Sequence, residues 1–271
     1  MLVVHELAKS FPLRRDVLGR VTQSVDAVRG VGFTVAPGET LALVGESGAG
    51  KSTVGRLVLR LIEPTSGQVE LRGRDVRSLS GQELRRFRSQ AAMIFQDPYT
   101  SLNPRLFVHY SVTEPLRAQG RGDARERRRR ADDLLERVGL GPEHAERFPY
   151  ELSGGQLQRV AIARALATDP ELIVCDEPVS ALDMSIRSQV INLLRDIQRE
   201  RGISYLFVSH DLSLVRLVAD RVAVMRAGQI VELRPTDELF SDPEHEYTRQ
   251  LLSAIPASHP RNRSFRPRPR K

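Results

Sequence analysis

Gly45-Glu-Ser-Gly-Ala-Gly-Lys51-Ser52-Thr53 fits the pattern G-x-x-x-x-G-K-[ST] at every fixed position. Before it, Thr40-Leu-Ala-Leu-Val44 reads as a short buried strand. After it, Val54, Leu57, Val58, Leu61 and Ile62 form a helical stripe. Strand, glycine-rich turn and helix start are the frame a nucleoside triphosphate needs. Gly45, Gly48 and Gly50 allow a tight turn that aims backbone N–H groups inward at phosphates, with Glu46, Ser47 and Ala49 between them. The helix start, with Thr53 in its first turn, adds the positive end of its dipole. Lys51 can reach the β- and γ-phosphates, and the Ser52 hydroxyl can ligate Mg²⁺. Of 41 basic residues only Lys9, Lys51 and Lys271 are lysine. Lysine therefore stands in this loop against a strong bias to arginine, where a slim point charge fits and a planar fork does not.

A chain of 271 residues holds one large domain, or a domain with an inserted lobe. No apolar run approaches the ~18 residues that span a bilayer. The start, Met1-Leu-Val-Val-His-Glu, has no basic region before an apolar core and does not read as a secretory signal. The single cysteine, Cys175, excludes a disulfide or an all-cysteine metal cluster within the chain. The formal charge is +7, but Arg261, Arg263, Arg266, Arg268, Arg270 and Lys271 supply nearly all of it. Residues 257–271 read as a basic, disordered tail, and no specific nucleic-acid partner is expected.

In order, strands are expected at 2–7 and 31–35, with a poorly patterned loop between them, and the second closed by the turn at Pro37-Gly38. A turn at 64–67 and a strand at 68–71 follow. Residues 80–89 read as a helix, with Ser80 and Glu83 spaced as a capping box. After a strand at 91–95, residues 96–104 read as loop. From 108 to about 150 the pattern is helical and polar, and its arginine run at 121–130 reads as a solvated face. Helices at 156–168, 185–201 and 212–219 then alternate with strands at 172–175 and 203–208. Strands at 221–225 and 229–233 and helices at 235–240 and 246–255 close the pattern. Alternation of this kind implies a mainly parallel sheet with helices on both faces.

Leu172-Ile-Val-Cys-Asp176-Glu177 is a second nucleotide element. A buried strand delivers Asp176 to its carboxyl end, where ligands collect in such sheets. Asp176 is placed to hold Mg²⁺, and Glu177 to orient and deprotonate an attacking water. Leu152-Ser153-Gly154-Gly155-Gln156 stands just before a helix, so Ser153 and the following N–H groups form a second anion site.

Here the sequence resembles the ATP-binding subunits of ABC transporters, whose signature reads LSGGQ. On that resemblance Gln96 is the Q-loop glutamine, near both water and metal. Asp183, in Ser180-Ala-Leu-Asp183, closes the D-loop. His210, in Val208-Ser-His-Asp211, is the switch histidine, and Phe11 stacks on adenine. The implied fold is an α/β P-loop NTPase core with a mainly parallel sheet, N-terminal antiparallel strands and an inserted helical lobe. The cassette would span 1–256, with the lobe at about 105–165. Phe95-Gln-Asp-Pro-Tyr-Thr-Ser-Leu-Asn-Pro-Arg105 and His245-Glu-Tyr-Thr-Arg-Gln-Leu-Leu252 resemble the dipeptide, oligopeptide and nickel importer branch. Many members of that branch carry a cysteine-containing C-terminal extension, and this chain has no cysteine after Cys175.

The resemblance implies ATP hydrolysis that drives import, with ATP and Mg²⁺ as ligands. It implies a second ATP-binding subunit, membrane permease subunits and, indirectly, an external solute-binding protein. The chain would be peripheral, at the cytoplasmic face of the cell membrane. A chromosome-organising or repair ATPase is the rival class. Its heads carry a long coiled coil between the two nucleotide motifs, and the interval from Lys51 to Asp176 has no room for one. Translation-type factors usually pair two cassettes in one chain, and this chain has one phosphate loop.

Overall fold

The computed structural model describes residues 1–16 and 21–254. Strands β1 (Leu2–Arg15) and β2 (Val21–Val35) pair antiparallel. β3 (Thr40–Val44) runs into the glycine loop and α1 (Lys51–Val58). β4 (Ser66–Leu71), β5 (Arg74–Asp75) and α2 (Gly81–Gln90) lead to β6 (Ala91–Ile94). The lobe follows with α3 (Pro98–Ser101), α4 (Val108–Ala118), α5 (Ala124–Arg137) and α6 (Gly154–Leu166). The chain returns through β7 (Leu172–Asp176), α7 (Met184–Arg201), β8 (Ser204–Ser209) and α8 (Leu212–Val218). The paired strands β9 (Arg221–Arg226) and β10 (Gln229–Pro235), then α9 (Thr236–Ser241) and α10 (Glu246–Ser253), end the described part. The basic tail expected at 257–271 lies outside the described residues.

Six strands form the main sheet in the order β10-β9-β3-β8-β7-β6, parallel except for β10. A second sheet, β2-β1-β4-β5, is antiparallel. The central strands β3, β7 and β8 are buried at every position, as a parallel sheet covered on both faces requires. Their side chains alternate between two cores. Leu41, Leu43, Val174 and Val208 face the antiparallel sheet and α1. Ala42, Val44, Ile173 and Phe207 belong to the core that includes the lobe helices and α7. The glycine loop and the Ser153 turn are thereby placed on one framework. β3 and β7 end beside each other's partner β8, and α6 packs against α4 and β6.

Apart from the two-residue β5, which no pattern signals, the strands and helices fall close to where the patterns put them, with four differences. β1 and β2 extend far into the segment expected as loop. Register shifts interrupt β1 at several points, and residues 21–26 of β2 are all exposed, so no period of two survives in the sequence. The Ser80–Glu83 capping box does not form. Ser80 caps with no side-chain bond, and Glu83 instead pairs with Arg74 at 2.8 Å. Residues 96–104 contain the single-turn α3, capped by Asp97 accepting from the Tyr99 N–H at 2.9 Å. The arginine run is more than a solvated face. Arg128 binds Asp132 and Glu146, and Arg130 joins Arg201 on Asp169, tying α5 to the turn before β7.

Phe207 is 1% exposed in the middle of β8. Phe207→Ala should cost about 3–5 kcal/mol, read from urea unfolding midpoints. A loss well under 1 kcal/mol would mean that the core about β8 is not packed as described.

Candidate functional site

The glycine loop is built by contacts that exclude side chains. A Cβ on Gly45 would lie 2.2 Å from the Met225 carbonyl oxygen, and one on Gly50 would lie 2.3 Å from that of Ala27. Both glycines have positive φ, 149° and 99°. The loop therefore rests on β9 and β2 with no room for any other residue. Gly48, also at positive φ, would point its Cβ into open space. Gly45 and Ala49 are buried, while Glu46, Ser47 and Gly48 form an exposed rim.

Lys51 is 5% exposed, and its Nζ donates to the Gly45 and Glu46 carbonyls at 2.8 Å each. Burial holds its ammonium below the usual lysine range, opposed by the nearby Glu177 and Asp176 carboxylates. Ser52 Oγ donates to Asp176 Oδ1 at 2.6 Å, and Thr53 follows in the first turn of α1. Asp176 is 2% exposed at the end of β7. Burial raises its carboxyl above the usual range, against the Ser52 hydrogen bond.

Glu177 is left-handed, with φ of 47°. Its N–H bonds the Val208 carbonyl at 3.0 Å. Gln96 Nε2 donates to its Oε2 at 3.1 Å, and His210 Nδ1 lies 3.0 Å from its Oε1. The three residues expected to serve catalysis, 81 and 33 positions from each other in sequence, thus meet on one carboxylate.

Ser153 caps α6. It accepts from the Gln156 N–H at 3.3 Å while the Gln156 Oε1 accepts from its own N–H at 2.9 Å. Gly154 and Gly155 are the first residues of that helix, and a Cβ on Gly155 would press on Ile186 at 2.8 Å. Among the described residues no hydrogen bond or ion pair joins this turn to the glycine loop, Asp176 or Glu177. Asp183 caps α7 and is exposed, with no side-chain cap bond. Phe11 lies on β1 and is 38% exposed, with Lys9 Nζ 5.1 Å from its ring centre.

Some residues had no role in the sequence reading. His144 Nε2 stands 3.1 Å from Gln156 Nε2, behind the signature turn. Arg187 holds the Ser180 and Leu182 carbonyls at 3.2 and 2.7 Å and so shapes the turn that ends at Asp183. Tyr247 accepts from the Glu46 N–H at 3.2 Å. Only Tyr247 fell within a quoted motif, and no local pattern linked it to residue 46.

The donor set suits a hard cation. It offers a hydroxyl and a buried carboxylate that, among the described residues, has no cationic partner in direct contact, and both donors are oxygen. The open space at Gly48, the helix start at Gly50 and the buried ammonium suit a phosphate chain.

A family model described as "ABC transporter" matches residues 28–180. One described as "Oligopeptide/dipeptide transporter, C-terminal region" matches residues 231–271. The chain is 52% identical, over all 271 residues, to a glutathione import ATP-binding protein GsiA of Salmonella paratyphi A, of which it covers 43%. It is 53% identical over 260 residues to the Escherichia coli K12 protein of that name, covering 96% of this chain and 42% of the other. It therefore spans less than half the length of these relatives. Among solved structures, a dimeric post-hydrolysis state of the cassette MJ0796 with ADP and Pi matches at TM-score 0.78 and 30% identity, covering 87% of this chain and 99% of that one. The cbiO1 structure from Clostridium perfringens, part of the ABC transporter complex cbiONQ, matches at 0.74 and 29%, covering 89% and 90%.

Because folding raises the Asp176 carboxyl's pKa, its stabilising contribution is full at low pH and is lost as pH rises through the folded value. Asp176→Asn should therefore raise the melting temperature of the nucleotide-free protein at pH 7.5, with the gain shrinking toward pH 4. A lower melting temperature at pH 7.5 would show that the carboxylate stabilises the fold.

Proposed function

We propose a function from one premise: the chain belongs to the ABC transporter family of ATP-binding cassettes. It binds and hydrolyses ATP to power an importer, and its cargo is a di- or oligopeptide or a related peptide-like solute. The C-terminal family match and the glutathione-import relatives support that class. A nickel-type solute is the alternative within the same branch.

The observation that carries the reading is Glu177 between Gln96 and His210, one residue beyond the Ser52–Asp176 pair. Gly45 to Thr53 wrap the phosphates of ATP, and Lys51 exchanges the Gly45 and Glu46 carbonyls for phosphate oxygens. Bound Mg²⁺ would neutralise phosphate charge, held by Ser52 and Asp176 with Gln96 at its edge. The Glu177 carboxylate takes a proton from the attacking water. Gln96 and His210 fix that carboxylate from two sides, and His210, 57% exposed at its side chain, can also meet the γ-phosphate. Phe11 is exposed enough to stack on adenine.

The second anion site, Ser153 to Gln156, serves the nucleotide of another subunit. Two chains placed head to tail supply a complete site twice, with Asp183 near the shared boundary. The description of a neighbouring cassette as a dimer supports this arrangement. Arg164, on the same helix as Ser153, donates to the Ser101 carbonyl in the segment that follows Gln96. Movement of the signature turn would thereby reach that segment. Beside it opens a cavity of about 350 Å³, lined by Leu61, Met93, Phe95, Pro115 and Arg164, where a permease subunit can seat. No helix of the described residues is long and apolar enough to cross a membrane. The subunit sits peripherally at the cytoplasmic face, and an external solute-binding protein delivers cargo to the permeases.

Glu177→Gln keeps the shape and removes the base. ATP should still bind, turnover should fall by about 10²-fold or more, and sedimentation should show an ATP-dependent dimer. Single-turnover hydrolysis at the wild-type rate would remove Glu177 from the role.

A further inference from the structure

Glu46 is held from both sides. Its carbonyl accepts from Lys51 Nζ at 2.8 Å, and its N–H donates to Tyr247 Oη at 3.2 Å. Tyr247 lies 201 residues away, in α10, and is 4% exposed. We propose that Tyr247 is a positioning residue for nucleotide binding, and that through it the docked C-terminal segment sets the affinity of the phosphate loop. The inference rests on the reading of that loop as the ATP site.

The argument begins with what ATP does to the loop. Lys51 must leave the Glu46 carbonyl to reach phosphate oxygens. One of the two bonds on Glu46 is then gone, and the Tyr247 bond is what keeps the rim of the loop from following the lysine. A loop already in its bound shape loses less conformational freedom on binding, so affinity rises.

Tyr247 is itself fixed by a chain of contacts. The Arg226 guanidinium lies 4.9 Å from its ring centre, one residue beyond the Met225 carbonyl on which Gly45 rests. His245 Nδ1 accepts from the Tyr247 N–H at 3.1 Å and caps α10. Glu232 is 7% exposed on β10, and its two carboxylate oxygens accept from the Glu244 and His245 N–H groups at 2.9 and 3.0 Å. Glu232 therefore anchors the start of α10, α10 places Tyr247, and Tyr247 holds Glu46. Coupling of this kind is reciprocal. A bound nucleotide should slow amide exchange in α10.

The test uses the full chain with a fluorescent ATP analogue and Mg²⁺. Tyr247→Phe removes one hydroxyl and keeps the packing. It should raise the dissociation constant about 3- to 10-fold and speed exchange of the Glu46 amide in the nucleotide-free protein. Turnover at saturating ATP should stay within about twofold, since the hydroxyl touches no reacting atom. Glu232→Gln should weaken binding in the same direction, and adding it to Tyr247→Phe should do little more, because both act through one bond. Wild-type affinity in Tyr247→Phe, with Lys51→Ala losing nucleotide, would overturn the inference alone. Wild-type affinity in Lys51→Ala would instead overturn the reading of the loop as the ATP site.

Discussion

One hydrogen bond joins the two halves of the proposed nucleotide site. Ser52 Oγ to Asp176 Oδ1, at 2.6 Å, spans 124 residues and links the first turn of α1 to the end of β7. The six-stranded sheet exists, in functional terms, to bring these two ends together. β3 and β7 lie on either side of β8 and run parallel to it, so both strand ends and both following turns open on the same edge. The helical lobe is inserted between them in sequence without separating them in space.

The same arrangement sets the electrostatics. Asp176 and Lys51 are each pushed toward neutrality by burial, and Glu177 adds a second carboxylate beside them. The two acids lie near one buried ammonium that is engaged with carbonyls, and the Arg56 charge also acts on Asp176. A polyanion bound with a divalent cation would complete this charge set. The strain at Glu177, left-handed at φ 47°, belongs to the same design: local stability is given up where a carboxylate must leave its strand and meet Gln96 and His210.

Much of this was legible in the sequence because it is local. The glycine loop, the apolar strand before Asp176 and the Ser153 turn are each short motifs in which spacing dictates backbone shape. The parallel core was legible because fully buried strands are continuously apolar. The outer parts of β1 and β2 were not legible, since bulges and exposed polar positions erase alternation. The Ser80 and Asp123 caps show the limit of short motifs. Ser80 with Glu83 had the spacing and did not close, because Arg74 from another strand takes Glu83. Asp123 with Glu126, set within a run of arginines, does close. Contacts such as His144 with Gln156 and Tyr247 with Glu46 depend on tertiary placement, which no window of sequence encodes.

The central claim is that a complete site needs two chains. Lys51→Ala disables the loop half and Ser153→Arg the signature half, so each variant alone should be inactive. Mixed dimers of the two retain one site with both halves intact. The account predicts that mixing verified heterodimers restores a substantial fraction of wild-type ATP hydrolysis per dimer. No recovery in such heterodimers would contradict independent composite sites, and full hydrolysis by an isolated monomer would contradict the two-chain site itself.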